Sequence, residues 1–490
     1  MTGQGSVPPA APPPETGPEG VAGTEDRNQP QPRDQGQPQD QDQDVASLSP
    51  ERIREIQEAL ERGDREAAGA LVAPLHAADK ADLIELVSPE QRRLLVEALR
   101  PDVDPEVLAS LEETVRDEVI EQLDAGEVAA AVTELDTDDA IYLLEDLSEE
   151  DKRRILDAVP AEERAAVEEG LSFPENSAGR MMQRELVAVP AYWTVGQTID
   201  YLRANDDLPD EFYDIFVVDP RHAPIGYVPL SRAMRSRRPV PMSDLMEHDI
   251  RPISADMDQE DVAYLFHQYG LVSAPVIDAS GRLIGVITVD DVVEVIDEEA
   301  EEDIMRLGGV SETDLHEPAL TTTRRRFTWL LVNLGTAILA SSVISLFDAT
   351  IEQMVALAVL MPIVASMGGN AGTQTLTVTV RALATKDLTP ANALRHVGKE
   401  FTVGLLNGVL FALVAGAVAV LWFGDVTLGI VIGAAMVVNL MVAALAGILV
   451  PLGLDRAGID PAIAASVFVT TMTDVVGFFS FLGLAALVLL

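Results

Sequence analysis

The chain runs to 490 residues, of which 80 are acidic and 34 are Lys or Arg, giving a formal charge of −46, and it has no cysteine. Binding a polyanion needs a basic surface that releases counterions, so a nucleic-acid partner is excluded. With no thiol for a disulfide or a thiolate metal site, the ligands on offer are carboxylates, carbonyls and water, a set that suits hard cations.

Residues 1–45 are rich in Pro, Gly, Gln and Asp, lack apolar periodicity and carry no hydrophobic run of the signal-peptide kind, which predicts a disordered cytoplasmic tail. Over 46–174 apolar residues recur at three- and four-residue steps, as in Ile53, Ile56 and Leu60, then Leu83, Leu86, Leu94 and Leu95. Breaks at Ser88-Pro89-Glu90, Asp136-Thr137-Asp138 and Ser148-Glu149-Glu150 read as helix caps, so this segment is expected to be an all-α superhelix of short helices.

Near residue 175 the period shifts toward two. Phe216-Val217-Val218-Asp219 with Ile225-Gly226-Tyr227-Val228 recurs 59 residues later as Pro275-Val276-Ile277-Asp278 with Ile284-Gly285-Val286-Ile287. A strand, an Asp turn, a second strand and a helix repeated at a fixed interval predict a tandem α/β module, with copies at 175–240 and 241–297. An acidic run, Asp297-Glu298-Glu299-Ala300-Glu301-Glu302-Asp303, leads into a linking helix assigned to 298–326. Such runs are usually solvated faces, and its place between the module and the apolar part singles it out. Residues 46–326 together hold 64 acids against 27 Lys and Arg. That self-repulsion costs stability unless cations condense on it, although halophilic adaptation produces the same kind of surface.

From 327 to 490 the chain is a polytopic α-helical membrane domain, with five spans predicted near 327–347, 353–380, 401–423, 426–452 and 462–489. Arg324, Arg325 and Arg326 precede the first span, and Lys386, Arg395, Lys399 and Arg456 fall in the loops on the same side, which makes that side cytoplasmic. The predicted topology is a multi-pass protein of the plasma (inner) membrane, with its soluble domains in the cytoplasm and its C-terminus outside.

Two features inside the spans carry chemistry. Asp474 lies about twelve residues, or about 18 Å of helix rise, into the last span, beside Thr470, Thr471 and Thr473. An ionisable group at that depth costs at least ~2.5–3.5 kcal/mol, so it should face water or a cation; the alternative is a neutral, hydrogen-bonded Asp in a helix contact. In the second span Pro362 is followed by Gly368-Gly369-Asn370-Ala371-Gly372-Thr373-Gln374-Thr375, either a backbone lining a cavity or small residues packing against a helix. Asn370 and Gln374, four apart, share one face.

Pro-x₅-Gly-Gly-Asn-x-Gly-x-Gln and Thr-Asp-Val-x-Gly, together with the order of the domains, closely resemble the MgtE family of magnesium channels, and the repeated module resembles a pair of CBS domains. The resemblance implies a homodimer with a pore on its two-fold axis, lined by the second and fifth spans, where Asp474, Gly368, Gly369, Asn370, Gly372, Gln374 and Thr471 would meet hydrated Mg²⁺. It also implies regulatory Mg²⁺ sites at Glu106, Asp138, Asp258, Glu260, Asp291, Glu294, Glu299, Glu302 and Asp303, through which cytosolic Mg²⁺ closes the channel. One family acid falls on Gly270, and Glu294 stands where the family has Asp. CBS pairs bind adenine nucleotides in many families, and Thr288-x-x-Asp291 resembles the ribose-contacting motif, which would add ATP as a ligand. The competing functions are transport of Co²⁺, Mn²⁺ or Ca²⁺, and a membrane-anchored CBS sensor that conducts nothing. An enzyme is not expected, because no Gly-x₄-Gly-Lys-Ser/Thr loop is present and the six His form no metal-ligand spacing.

Overall fold

The computed structural model describes residues 48–489 apart from 101–102, 206–207, 210 and 311–318, so the expected tail at 1–45 lies outside the described residues. From Pro50 to Gly170 the chain forms short helices of five to twelve residues. Ser88 starts one with a full capping box: its hydroxyl accepts from the Gln91 amide at 3.4 Å, and its own amide donates back to Gln91 Oε1 at 3.3 Å. Ser148 caps in the same way on the Asp151 amide. Asp136 stands at the third cap but makes no side-chain bond there. Its neighbour Thr137 instead donates its hydroxyl (2.8 Å) and amide (3.3 Å) to Glu185, which ties the helical domain to the segment entering the sheets.

Ile56, Leu60, Leu83 and Leu95 are buried as their spacing predicts, whereas Leu86 is 63% exposed. The core also swallows a charge. Arg116 is fully buried, lies 4.1 Å over the Tyr142 ring and donates to Asp146 at 2.5 Å.

Two three-stranded sheets follow. In the first, β1 (Ala188–Pro190) runs parallel to β2 (Asp214–Val218), which pairs antiparallel with β3 (Pro224–Pro229); β4 (Ile253–Ser254), β5 (Ser273–Ile277) and β6 (Leu283–Thr288) repeat the pattern. Every boundary of β2 and β3 reappears 59 residues later in β5 and β6, as the sequence repeat requires. The copies face each other through equivalent positions: Ser273 Oγ donates to Asp214 Oδ2 at 2.7 Å. Phe216, Val218, Leu283 and Val286 close a core shared by both.

The linking helix is longer on its upstream side than the acidic run suggested. It runs from Val289 to Gly308 without a break, so the last helix of the second copy and the acidic run are one rod. No Gly or Pro interrupts the sequence before Gly308, and the rod stops where Gly309 adopts the left-handed conformation at φ 71°.

Among the described residues five further helices are long and apolar enough to cross a membrane: Ala319–Ser345, Ala356–Ala384, Ala393–Phe423, Val426–Arg456 and Pro461–Val488. The first starts before Arg324, so the three arginines ride on it rather than precede it. The fourth is the hub, with 61% of its apolar window buried against 6–28% for the others.

Because Arg116 is fully buried and fills the helical core, Arg116→Ala should destabilise that domain by about 3 kcal/mol through the cavity it leaves. A lowered midpoint for the first thermal transition of the full chain in detergent would register it.

Candidate functional site

The second and fifth spans carry the polar residues that the sequence singled out, and the structure sorts them onto two faces. Gly368 and Gly372 are buried inside the bundle, where a Cβ on Gly372 would come 2.6 Å from Val469 Cγ1 of the fifth span. Despite Pro362 the second span stays helical throughout, so its glycines serve close helix approach rather than a broken backbone. Asn370 and Gln374 lie exposed on the other face, and Gly369 has open space around it.

On the fifth span, Thr473 is fully buried and Thr471 donates its hydroxyl to the Val467 carbonyl at 2.6 Å. Asp474 is half-buried, thirteen residues after Pro461, which is about 20 Å of rise in a helix of 28 residues. Among the described residues nothing donates a hydrogen bond to it or pairs with its charge. A carboxylate near mid-span with no protein partner is a group left for water or a cation.

A first acidic cluster forms where the start of the Thr137–Leu144 helix meets the first turns of the linking helix. Asp138 is 9% exposed and its Oδ1 is buried without a hydrogen-bond partner. Burial, then the facing Asp291, then Asp139, push its carboxyl well above the usual range. Burial and Asp136, Glu294, Glu106 and Asp290 raise Asp139 to about 6. Burial raises Asp291 to about 7 even though the Thr288 hydroxyl donates to it at 2.7 Å. Burial also raises Glu294.

The second cluster lies one to three turns further along. Desolvation, Glu299 and Asp258 raise Glu260 to about 7, with Lys386 opposing. Burial, Asp460 and Glu299 raise Asp303 to about 6. Asp258 also caps its helix, accepting from the Glu260 amide at 3.0 Å, and Gln259 donates to Glu299 at 2.8 Å. Gly270, where the resemblance places an acid, is the left-handed cap of the same helix at φ 61°.

Glu302 is paired with Arg306 one turn on. Arg306 also donates to Asp460 Oδ2 at 2.6 Å, while Asp460 Oδ1 accepts from the Ala462 amide and so caps the fifth span. A second tether reaches the loop after the second span: Lys386 pairs with Asp261 and lies 4.6 Å over the Tyr264 ring. Sequence reasoning missed Asp139, Asp290, Lys386, Arg306 and Asp460. For Asp139 and Asp290 the doubled acids Asp138-Asp139 and Asp290-Asp291 were the available signal.

The acids that the resemblance singles out are therefore brought together as two groups, Glu106, Asp138, Asp291 and Glu294 in one and Asp258, Glu260, Glu299 and Asp303 in the other. Among the described residues no three His, Asp or Glu side chains converge tightly enough to hold an ion in this arrangement. The orphaned Asp138 oxygen and the raised carboxyls still mark a surface that lacks positive charge. Thr288 and Asp291 bond each other across a helix cap, and neither lines the cavity of about 670 Å³ between the α/β copies, whose walls include Asp214, Phe216, Tyr227 and Tyr269.

Four carboxyls at about 6 to 7 against ordinary values of 3.8 to 4.5 mean that the compact arrangement takes up protons which a spread one releases. It is thus destabilised as pH rises through about 4 to 7 and favoured as pH falls. In divalent-free buffer, spin labels on the helical domain and the linking helix should draw closer on acidification across that window. The further closure that a divalent ion adds should be smaller at the acid end, because protons already occupy the same oxygens.

Residues 361–484 match the family model described as a divalent cation transporter, MgtE; 75–176 match the MgtE intracellular N domain, and 242–298 match the CBS domain. The chain is 32% identical to the magnesium transporter MgtE of Enterococcus faecalis over 321 residues, covering 66% of this chain and 71% of that one. It is 35% identical to the magnesium transporter MgtE of Thermus thermophilus over 329 residues, covering 66% and 73%. A solved cytosolic domain of the Mg²⁺ channel MgtE in complex with ATP is 29% identical, with a TM-score of 0.46, over 50% of this chain and 99% of that one.

Proposed function

Because the chain belongs to the MgtE family of magnesium transporters, we propose that it conducts Mg²⁺ into the cytoplasm and that cytosolic Mg²⁺, bound to its acidic region, closes the path. The observation that carries this reading is Asp474, an unpartnered carboxylate near the middle of the fifth span. Mg²⁺ gives up its inner water reluctantly, so Asp474 would hold the hydrated ion through water, helped by the Asn370 and Gln374 amides and the Thr471 hydroxyl. Gly369 leaves room beside them. In a homodimer two copies of Asp474 would face one ion on the two-fold axis. The soluble domains, at 46–174, 175–240 and 241–297 with the linking segment at 298–326, lie in the cytoplasm and the C-terminus lies outside.

Closure follows from charge. Two carboxylates 4 Å apart at an effective dielectric of 20 repel by ~4 kcal/mol, and a bridging Mg²⁺ turns that into attraction. Asp138, Asp291, Glu106 and Glu294 would hold one ion between the helical domain and the linking helix. Asp258, Glu260, Glu299 and Asp303 would hold another, with Glu302 adjoining. When the ions leave, the acidic faces separate. ATP is a further ligand of the CBS pair in this reading; a ribose bound at Thr288 and Asp291 would displace the bond between them.

In proteoliposomes the intact chain should take up Mg²⁺, and Asp474→Ala should lose at least about tenfold of the initial rate while eluting as the same monodisperse species (about 1.4 kcal/mol or more). Uptake by Asp474→Ala at the unmodified rate would refute the ion path. Neutralising Asp291, Glu299 and Glu302 together should leave the path open at millimolar internal Mg²⁺. An unchanged inhibition curve would remove the sensor from these residues.

A further inference from the structure

The fourth span contains one buried amide whose position relates it to both path-bearing helices. Asn439 is 0% exposed, and its Nδ2 donates to the Val364 carbonyl of the second span at 2.8 Å. One turn after Val364 on that span is Gly368, where an added Cβ would strike the same Nδ2. On the fifth span, three residues after Asp474, is Gly477, where an added Cβ would meet Asn439 Nδ2 at 2.9 Å and Cγ at 3.2 Å. One side chain of the hub helix thus fills a notch made by a glycine on each of the two helices. Its Oδ1 is buried with no hydrogen-bond partner.

We propose that Asn439 is a positioning residue that sets the separation of the second and fifth spans at the level of Asp474, and with it the discrimination between Mg²⁺ and larger divalent ions. The inference rests on the reading of Asp474 as the ion-facing carboxylate. An aliphatic side chain would fill this apolar contact without leaving a polar oxygen unpaired, so packing alone does not account for an amide. The amide supplies two things at once. Its donor fixes the second span through a backbone carbonyl, which no substitution on that span removes. Its bulk against Gly477 fixes how near the fifth span comes. Asp474 and Gly477 are neighbours on one side of that helix, so a shift at the glycine moves the carboxylate with it. The preference for Mg²⁺ over Ca²⁺ depends on the size and rigidity of the site, so a looser spacing relaxes the preference before it abolishes passage.

The test uses the full chain in proteoliposomes, with initial uptake of Mg²⁺ and of Ca²⁺ measured separately. Asn439→Ala is expected to lower the Mg²⁺-to-Ca²⁺ rate ratio by about tenfold or more, equivalent to about 1.4 kcal/mol of discrimination. Asn439→Ser, smaller but still able to donate to the Val364 carbonyl, should fall between Asn439→Ala and the unmodified chain. It carries the test if Asn439→Ala does not yield folded protein. Gly477→Ala alone should slow Mg²⁺ uptake by about tenfold, and adding Asn439→Ala should restore most of that loss, because the amide that the new methyl strikes is gone. A merely structural asparagine would change yield or melting without moving the ion ratio. An unchanged ratio in both Asn439 variants would overturn the proposal, and so would a double variant no faster than Gly477→Ala. Asp474→Ala, run alongside, separates the two readings: if it transports normally the ion path fails, whereas if it is inactive and the Asn439 variants keep the ratio, only the positioning role fails.

Discussion

Negative charge that nearby bases offset only in part is the constraint from which the architecture of the soluble part follows. The first half of the linking helix presents Asp290, Asp291 and Glu294 to Asp138 and Asp139 across a buried seam. Arg92 and Arg116 of the helical domain are committed elsewhere, to Glu118 and Asp146, and Arg180 of the following segment pairs with Glu145. At the second cluster Lys386 opposes the acids around Glu260. With carboxyls raised to about 6 and 7, closure of this seam depends on protons near neutral pH. In the proposed reading divalent ions act on the same oxygens.

The soluble part reaches the membrane helices at two points, and they fall on the two spans that carry the polar residues singled out in the sequence. Arg306 joins the last turn of the linking helix to Asp460, and Asp460 caps the helix that holds Asp474 about 20 Å further on. Lys386, in the loop after the second span, reaches Asp261 and Tyr264 of the second CBS copy. It does so from a backbone at φ 55°, a conformation that a lysine adopts only when its surroundings impose it. The Asn392 side chain donates to the Asp387 carbonyl and accepts from the Thr389 amide, which makes the loop a firm mount. A displacement of the linking helix is therefore applied at the cytoplasmic end of the fifth span, and a displacement of the CBS copy at that of the second. Asn439 bears on both of these helices deeper in the membrane.

Much of this was readable from the chain because it follows from periodicity. The repeat at 59 residues fixes the strands of both copies to the residue, the apolar runs give the five spans, and an acid in the last of them is visible as an exception. What was not readable depends on partners distant in sequence. Asp136 has the pattern of a cap, yet the local bonds go to Glu185, 48 residues from Thr137. Leu86 keeps the helical spacing but falls on an open side. The glycines of the second span belong to two faces: Gly368 and Gly372 pack inward and Gly369 does not, a division that only the neighbouring helices decide. Asn439 was likewise present as one amide in an apolar span, and its meaning lies in the two glycines opposite.

Gly270 shows how this chain distributes its sensitivity. The resemblance places an acid there, and the structure gives the position to the left-handed residue that ends the Gln259–Tyr269 helix. A carboxylate is exchanged for an unstrained helix stop. The second cluster keeps Asp258, Glu260, Glu299 and Asp303 with Lys386 opposing, so in the proposed reading an ion there would meet less net negative charge than one between Asp138 and Asp291. Carrying a two-state gate from 1:99 to 99:1 takes about 5.5 kcal/mol of differential binding, and a millimolar site contributes no more than ~4 kcal/mol at a 1 M reference. In the proposed reading neither cluster would close the path by itself on that arithmetic. Both draw residues from one unbroken helix, so an ion at either would pull the same rod toward its neighbours and improve the other site. Continuity of the rod from Val289 to Gly308 would thus make closure cooperative.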